Sequence, residues 1–316
     1  MKDYRYILEP YNGMKTRYRC PNCEKNGVFT RYLDQRTGEY LDDKTGKCSR
    51  AIKCGYHFSP KQYFSEGGIS ISEVQKKPLI WKPKLKVKLE PNYIDKIVLE
   101  ESIDNRLSNN FLLYLSHIWN DEVAVHLANE YNIGTSNHWS GATIFWQVDN
   151  FGKIRSGKVM LYNPVTGKRI KQPYNHINWI HKVLKLDNFH LQQCFFGEHL
   201  LHKHKEKPVA IVESEKTAII ASVFLPEFVW LACGSVHNLN NEKTMVLKGR
   251  SVVLFPDLGC FDLWNDKIHK LSKLATYRTS TLLEEKATDN ERKQGFDIAD
   301  YLTKPNIINY ITTNLP

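Results

Sequence analysis

Apolar residues follow three different rhythms along this chain, and each change of rhythm marks a change of part. Through the first 65 residues the apolar positions are few and alternating, as in Gly27-Val28-Phe29-Thr30-Arg31-Tyr32, with turn signals at Thr37-Gly38 and Thr45-Gly46. So few apolar residues in that pattern predict small hairpins that need a staple in place of a core. From about residue 93 the spacing becomes helical. Phe111, Leu112, Leu115 and Ile118 share one face, and Val123, Val125, Leu127 and Tyr131 do so more loosely. Between residues 140 and 186 the pattern returns to strands. Residues 142–148 end at the turn Asp149-Asn150-Phe151-Gly152, and residues 158–162 end at Asn163-Pro164-Val165-Thr166-Gly167, which predicts an antiparallel sheet.

Residues 205–305 alternate continuous apolar runs with helical segments. Residues 208–212, 228–232 and 251–255 read as buried strands and 277–282 as strand-like, while 215–224, 263–274 and 298–302 read as helices. Strand and helix in turn, with strands apolar on both faces, predict a parallel α/β sheet. The expected fold class is multidomain α+β, with four parts: a small N-terminal domain at 1–65, a linker at 66–92, a helical and antiparallel-sheet middle domain at 93–204, and a parallel α/β core at 205–316.

Composition adds a charge. Lys and Arg outnumber Asp and Glu by 44 to 34, a formal net charge of +10, which favours polyanionic partners through phosphate contacts. No run of about eighteen apolar residues exists, so no membrane partner is expected. The first residues, Met1-Lys2-Asp3-Tyr4-Arg5-Tyr6, lack the apolar stretch of a signal peptide, and a cytoplasmic location is expected. In the linker, Lys76, Lys77, Lys82, Lys84, Lys86 and Lys88 crowd around Pro78 and Pro83. That composition makes an extended tether, or else a basic strap on a nucleic-acid backbone.

The staple for the first domain is legible. Cys20-Pro21-Asn22-Cys23 gives one close ligand pair, and Cys48 with Cys54 gives a second, wider one. Four thiolates in two pairs suit a structural Zn²⁺, with His57 as a spare ligand. Cys194, Cys233 and Cys260 sit in apolar settings and read as core residues.

Acidic residues close the α/β strands. Glu213 ends the first and Asp257 the third, and Asp297 and Asp300 follow the Gly295-Phe296 turn. In an open parallel sheet ligands bind at the carboxyl ends of strands. Together these acids would make an oxygen-rich site for Mg²⁺ or Mn²⁺; separately each would only cap the helix that follows. In the middle domain Lys153, Arg155, Lys158, Lys168, Arg169 and Lys171 are interleaved with Phe145, Trp146, Tyr162, Tyr174 and Trp179. Basic groups can track phosphates and aromatics can stack on unpaired bases, although the aromatics suit a sheet core equally well. Trp179 and His181 could instead frame a cleft toward the acids.

Three segments carry a resemblance: Val212-Glu213-Ser214-Glu215-Lys216-Thr217-Ala218, Phe255-Pro256-Asp257, and Phe296-Asp297-Ile298-Ala299-Asp300-Tyr301-Leu302. They resemble the three motifs of the TOPRIM domain, shared by bacterial-type primases, phage primase-helicases, topoisomerases and some nucleases. With the upstream cysteines and Cys194-Phe195-Phe196-Gly197-Glu198-His199-Leu200, the whole resembles zinc-finger plus TOPRIM primase-like proteins of bacterial mobile elements of the Bacteroidetes type. The resemblance implies an N-terminal zinc ribbon and a TOPRIM-like core. It implies Glu213 as acid-base carboxylate and Asp257 and Asp297 on metal; Glu213 and Asp300 complete the expected magnesium set, and Lys216 joins the expected nucleic-acid contacts. It also implies single-stranded DNA or RNA as partner, with a helicase or replication and transfer proteins nearby. The expected activity is nucleotidyl transfer on a single-stranded template. Two alternatives stay open, a non-catalytic single-strand-binding protein and a TOPRIM nuclease. One departure favours the former: Asp257-Leu258-Gly259 puts glycine where the family carries a second aspartate, and Asp262 is the nearest substitute.

Overall fold

The structure, a computed structural model, describes residues 4–67, 90–104, 108–271 and 273–304. The chain divides into two units, Met1–Lys86 and Val87–Pro316. The six lysines and two prolines of the expected linker lie outside the described residues.

The first unit is a four-stranded antiparallel sheet in the order β1 (Tyr6–Leu8), β2 (Phe29–Asp34), β3 (Gly46–Cys48), β4 (His57–Phe58). Its buried apolar set is only Cys20, Phe29 and Cys48, with Tyr18, Val28, Cys23, Cys54 and Tyr56 packed against it. Cysteines thus supply much of what would otherwise be core. Gly46 on β3 is required by close packing: a methyl group there would lie 2.2 Å from the Thr30 carbonyl oxygen and 2.4 Å from the Phe29 ring. Helix α1 (Pro60–Glu66) follows, started by Ser59 in a capping box with Gln62 and by proline at its first position.

The second unit opens with α2 (Lys96–Asp104), α3 (Asn110–Ile118) and α4 (Asp121–Glu130). An antiparallel sheet follows, in the order β5 (Ile133–Ser136), β6 (Ala142–Val148), β7 (Ile154–Met160), β8 (Ile177–Trp179). Short helices α5 (Ile180–Val183) and α6 (Leu200–Lys203) lead to the parallel part. There β9 (Val209–Val212), β10 (Val229–Ala232), β11 (Ser251–Leu254) and β12 (Thr276–Thr279) pair in parallel in the order β10-β9-β11-β12. Helices α7 (Glu215–Phe224), α8 (Asn241–Thr244) and α9 (Phe261–Ile268) lie between these strands in the chain. Helices α10 (Leu282–Lys286), α11 (Asp289–Gln294) and α12 (Ile298–Leu302) close the described chain.

β6 is buried along its whole length because a core lies on each face. Phe145 joins a larger core with Phe111 and Leu115 of α3, Leu127 of α4, and the parallel strands. Ile144 and Trp146 join a smaller one with Ile94, Leu99, Val159 and Ile180. Phe145, Trp146 and Tyr162 are therefore core residues and not stacking platforms, while Tyr174 stays exposed.

Three elements differ from the sequence expectation. β7 starts at Ile154, because the charged and small residues 155–158 pair with β6 and carry the ladder. On α4 the buried positions are Ala124, Leu127 and Ala128, continued by Tyr131, and Val125 faces solvent. α9 stops at Ile268 although its spacing continues; the Gly249 N–H donates to the Leu274 carbonyl at 2.8 Å and ties that segment to the chain just before β11.

Candidate functional site

The thiol cluster is built by two turns. In the first, the Cys20 N–H donates to the Lys25 carbonyl and Glu24 returns to the Cys20 carbonyl, each at 2.9 Å. In the second, Cys48 ends β3 while the Cys54 N–H donates to the Arg50 carbonyl at 2.8 Å on the loop that leads back to β4. That loop explains the wide spacing of the second pair. The four sulfurs all lie within 4.8 Å of one another, with Cys20 to Cys54 at 3.8 Å and Cys23 to Cys48 at 4.0 Å. Tetrahedral Zn²⁺ with Zn–S bonds near 2.3 Å needs sulfurs about 3.8 Å apart, so the set fits this ion. The Lys25 backbone N–H brings the Cys23 thiol down to about 6, ready as a thiolate. His57 is not in the cluster; its Nε2 meets the Tyr32 hydroxyl at 2.9 Å and its ring stacks on Tyr32. Cys194, Cys233 and Cys260 are buried elsewhere.

A second group forms at the parallel sheet. β9 and β11 are neighbours, so the residues just beyond their carboxyl ends, Glu213 and Asp257, emerge side by side. Asp297 and Asp300 form the capping box that starts α12. α12 packs on α7, and the Thr217 hydroxyl of α7 donates to Asp297 Oδ2 at 2.6 Å, which brings this turn to the same edge. Glu213, Asp257, Asp297 and Asp300 line one cavity of about 600 Å³, together with Glu215, Lys158, Lys168, Arg169, Lys171 and Lys216. The two acids of α12 thus both cap a helix and face the cavity.

The carboxylates crowd one another. Burial, then the charges of Asp297, Glu213 and Asp300, push Asp257 up to about 8. Burial raises Glu213 as well, against the Val236 N–H and the charge of Lys158. Asp300 is raised by burial and by Asp297, against Lys216 and Lys168. A divalent cation would relieve such repulsion, but among the described residues only the four cysteines bring three or more ligand atoms within 4.8 Å of one another, so the acids share a cavity without forming a closed ligand set.

The basic residues divide. Lys168, Arg169 and Lys171 are exposed at the cavity rim. Lys158 is half-withdrawn, its ammonium 3.0 Å from both oxygens of Glu215, which is 2% exposed. Its charge therefore faces a carboxylate, not an open surface. Lys216 lies 5.9 Å from the Tyr114 ring. Lys153 and Arg155 are apart from this cavity, over Tyr93, with Arg155 held by Asp149. Trp179 and His181 do not line it; His181 is buried between Ser156 Oγ at 3.0 Å and the stacked Phe189 ring. Asp262 is exposed on the first turn of α9, also off the cavity. Gly259 has φ +80° with open space where a side chain would project.

Sequence reasoning missed Glu215 and Thr217. Both looked like ordinary first-turn helix residues, and only the tertiary partners Lys158 and Asp297 give them roles.

Residues 4–69 match the model of a zinc beta-ribbon finger, and residues 109–258 match that of a domain of unknown function, DUF6371. The N-terminal unit is accordingly a zinc ribbon with a four-cysteine site. No curated protein matches the chain. Among solved structures, the DnaG catalytic core is similar at 10% identity, with a TM-score of 0.37 over 69% of this chain and 86% of that one. The primase fragment of the bacteriophage T7 primase-helicase protein is similar at 11% identity, with a TM-score of 0.38 over 88% of this chain and 97% of that one. Likeness at this level says nothing of activity. Among the described residues no helix is long and apolar enough to cross a membrane.

Proposed function

We propose that residues 87–316 form a TOPRIM-like, primase-like unit that joins nucleotides on a single-stranded template, with the acidic cavity as its centre. The observation that carries this reading is the juxtaposition of four carboxylates with a basic rim at the carboxyl edge of a parallel sheet. Phosphoryl chemistry on a polyanion needs both, because acids alone would repel the strand and bases alone would hold it without turnover. In this reading a 3′-hydroxyl attacks the α-phosphate of a nucleoside triphosphate, the new P–O bond replaces the bond to pyrophosphate, which leaves, and Glu213 takes the hydroxyl's proton, its affinity for which burial raises. Asp257, Asp297 and Asp300 would hold a divalent ion, which would supply charge stabilisation to the reacting phosphate. The Thr217 hydrogen bond fixes Asp297, and the Lys158–Glu215 pair fixes the antiparallel sheet against α7. Lys168, Arg169 and Lys171 hold the strand backbone. The zinc ribbon contacts the single-stranded template, and a helicase or the replication or transfer proteins of a mobile element are the partners of the chain.

A second reading, a strand-binding protein without turnover, is favoured by Gly259, which leaves one carboxylate where a TOPRIM site has a pair. Incubation with ribonucleotides, a single-stranded template and Mg²⁺ separates the readings. Primer products are expected, and Glu213→Gln should lower their rate by about 10²- to 10⁴-fold while strand binding is kept. Binding without products would establish the second reading, and strand cleavage would establish a nuclease.

A further inference from the structure

The antiparallel sheet carries the wall of the acidic cavity outward. Lys158 and Met160 of β7 line that cavity. In the register of β7 and β8, Trp179 stands opposite Lys158 and Ile177 opposite Met160. Directly opposed residues put their side chains on one face of a sheet. Trp179 and Ile177 therefore share the face of Lys158 and Met160, one strand further out. Phe145, opposite Lys158 on β6, lies on that face as well and is fully buried. The row thus runs from buried Phe145 through half-buried Lys158 to the edge of the sheet, because β8 is the last strand in the order.

The two apolar side chains at that edge join no core. Among the described residues Trp179 and Ile177 belong to neither hydrophobic core, although the strand beside them contributes to both. Ile177 is 39% exposed, and Trp179 is half-buried with its ring 6.3 Å from that of His181. Apolar surface left in water beside a charged cavity is unfavourable, and a ligand that covers it gains by doing so. The chain that leads from the cavity to β8 carries the exposed cations Lys168, Arg169 and Lys171. Tyr174 follows them, but one face of its ring is occupied by His176, stacked at 4.5 Å. Cations next to an apolar aromatic edge match a molecule that has both phosphates and flat rings. Two side chains are too little for a protein partner, whose stable contacts cover about 800 Å² on each side.

We propose that Trp179, with Ile177 beside it, is a shelf on which one unpaired base of a single strand stacks next to the acidic cavity, while neighbouring phosphates lie on Lys168, Arg169 and Lys171. This rests on the reading that a strand occupies that rim. Stacking uses the face that every base has, so the shelf accepts any base. It refuses a duplex, whose bases are already covered by one another. A base held at β8 fixes which phosphate of the strand comes to the carboxylates, and Trp179 is in that sense a positioning residue.

Fluorescence anisotropy of the full chain with a labelled deoxythymidine oligonucleotide tests the shelf. Trp179→Leu should weaken binding about tenfold, and Trp179→Phe should keep most of the affinity. The shelf carries no charge, so the slope of log affinity against log salt should be the same in both variants as in the unaltered chain. Leucine keeps the position apolar, and thermal melting verifies the fold of each variant. An abasic residue moved along the oligonucleotide should find one position at which its loss and that of Trp179→Leu do not add. Phe151→Ala, in the turn before β7 and 84% exposed in the unaltered chain, should change nothing. Unchanged affinity in Trp179→Leu, or a loss that comes with a reduced salt slope, overturns the shelf. An equal loss in Trp179→Leu and Trp179→Phe gives Trp179 a packing role and overturns it too. Each of these outcomes leaves the reading of the acidic cavity intact, whereas an unaltered chain that binds no strand at low salt overturns both.

Discussion

The four sulfurs of the N-terminal unit and the four carboxylates of the larger unit both gather potential ligand atoms, but among the described residues only the sulfurs converge to within 4.8 Å of one another, and the two sets are held in different ways. The sulfurs sit on two tight turns at the spacing of one tetrahedral ion, and little else is buried near them. The carboxylates sit on the edge of a sheet whose core is complete without them, and their crowding appears as an Asp257 that holds its proton to about 8. In the first region the ion stands in for a core; in the second the core tolerates repulsion among the acids. A ligand set that builds its fold and one that a fold merely carries can be told apart by asking which of the two, fold or ligand set, would survive without the other.

The largest expected effect breaks the first region. Zinc should be found at one equivalent per chain, and Cys54→Ser should remove it and unfold residues 4–67, since structural zinc contributes about 10–16 kcal/mol in such units. Elemental analysis and limited proteolysis check this, with residues 90–304 remaining resistant. Chelation without loss of protection would dissolve the contrast.

In the second region the fold should outlast its ligands but not its buried ion pair. Lys158→Ala leaves the Glu215 carboxyl 2% exposed and without its partner, and should cost about 3 kcal/mol in chemical denaturation. Lys158→Ala with Glu215→Met should recover most of that loss.

A smaller effect follows from Asp257. Its folded value is raised above the ordinary 3.8 to about 8, so the stability linked to it is full below pH 4 and is lost as pH rises toward 8. Melting temperature without divalent ions should therefore fall across that window, Asp257→Asn should flatten the fall, and Mg²⁺ should restore stability chiefly at its alkaline end. A profile unchanged by Mg²⁺ would remove the metal from this cavity.

The smallest concerns the rim. Lys168→Ala with Arg169→Ala should weaken single-strand binding for all sequences alike and reduce the slope of log affinity against log salt by about 1.5. Fluorescence anisotropy at several salt concentrations measures it, and an unaltered slope would move the strand away from the cavity.

Much of this was legible before any coordinates, for physical reasons that differ by region. Zinc ligands announce themselves, because four cysteines in a core-poor stretch have few other uses. The parallel strands read clearly because burial on both faces leaves unbroken apolar runs such as Val209–Val212. β7 was half hidden, since a strand that carries Arg155 and Lys158 toward Asp149 and Glu215 looks polar until those partners are known. The same holds for Thr217 and Glu215: their roles depend on contacts 80 and 57 positions away in the chain, which no local pattern encodes. His57 failed as a ligand for a geometric reason, because β4 turns its ring onto Tyr32.

The turn at Gly259 has a bearing on ancestry. Its backbone is already left-handed at φ +80°, and no atom lies within 4 Å of where a side chain would begin. Asparagine and aspartate are the residues after glycine that enter this region most readily. Some glycine codons become aspartate codons by a single base change. A paired-acid form and the present form are therefore neighbours in sequence space, joined without an intermediate that must refold. A single substitution, Gly259→Asp, would therefore add a second acid beside Asp257 without rebuilding the turn.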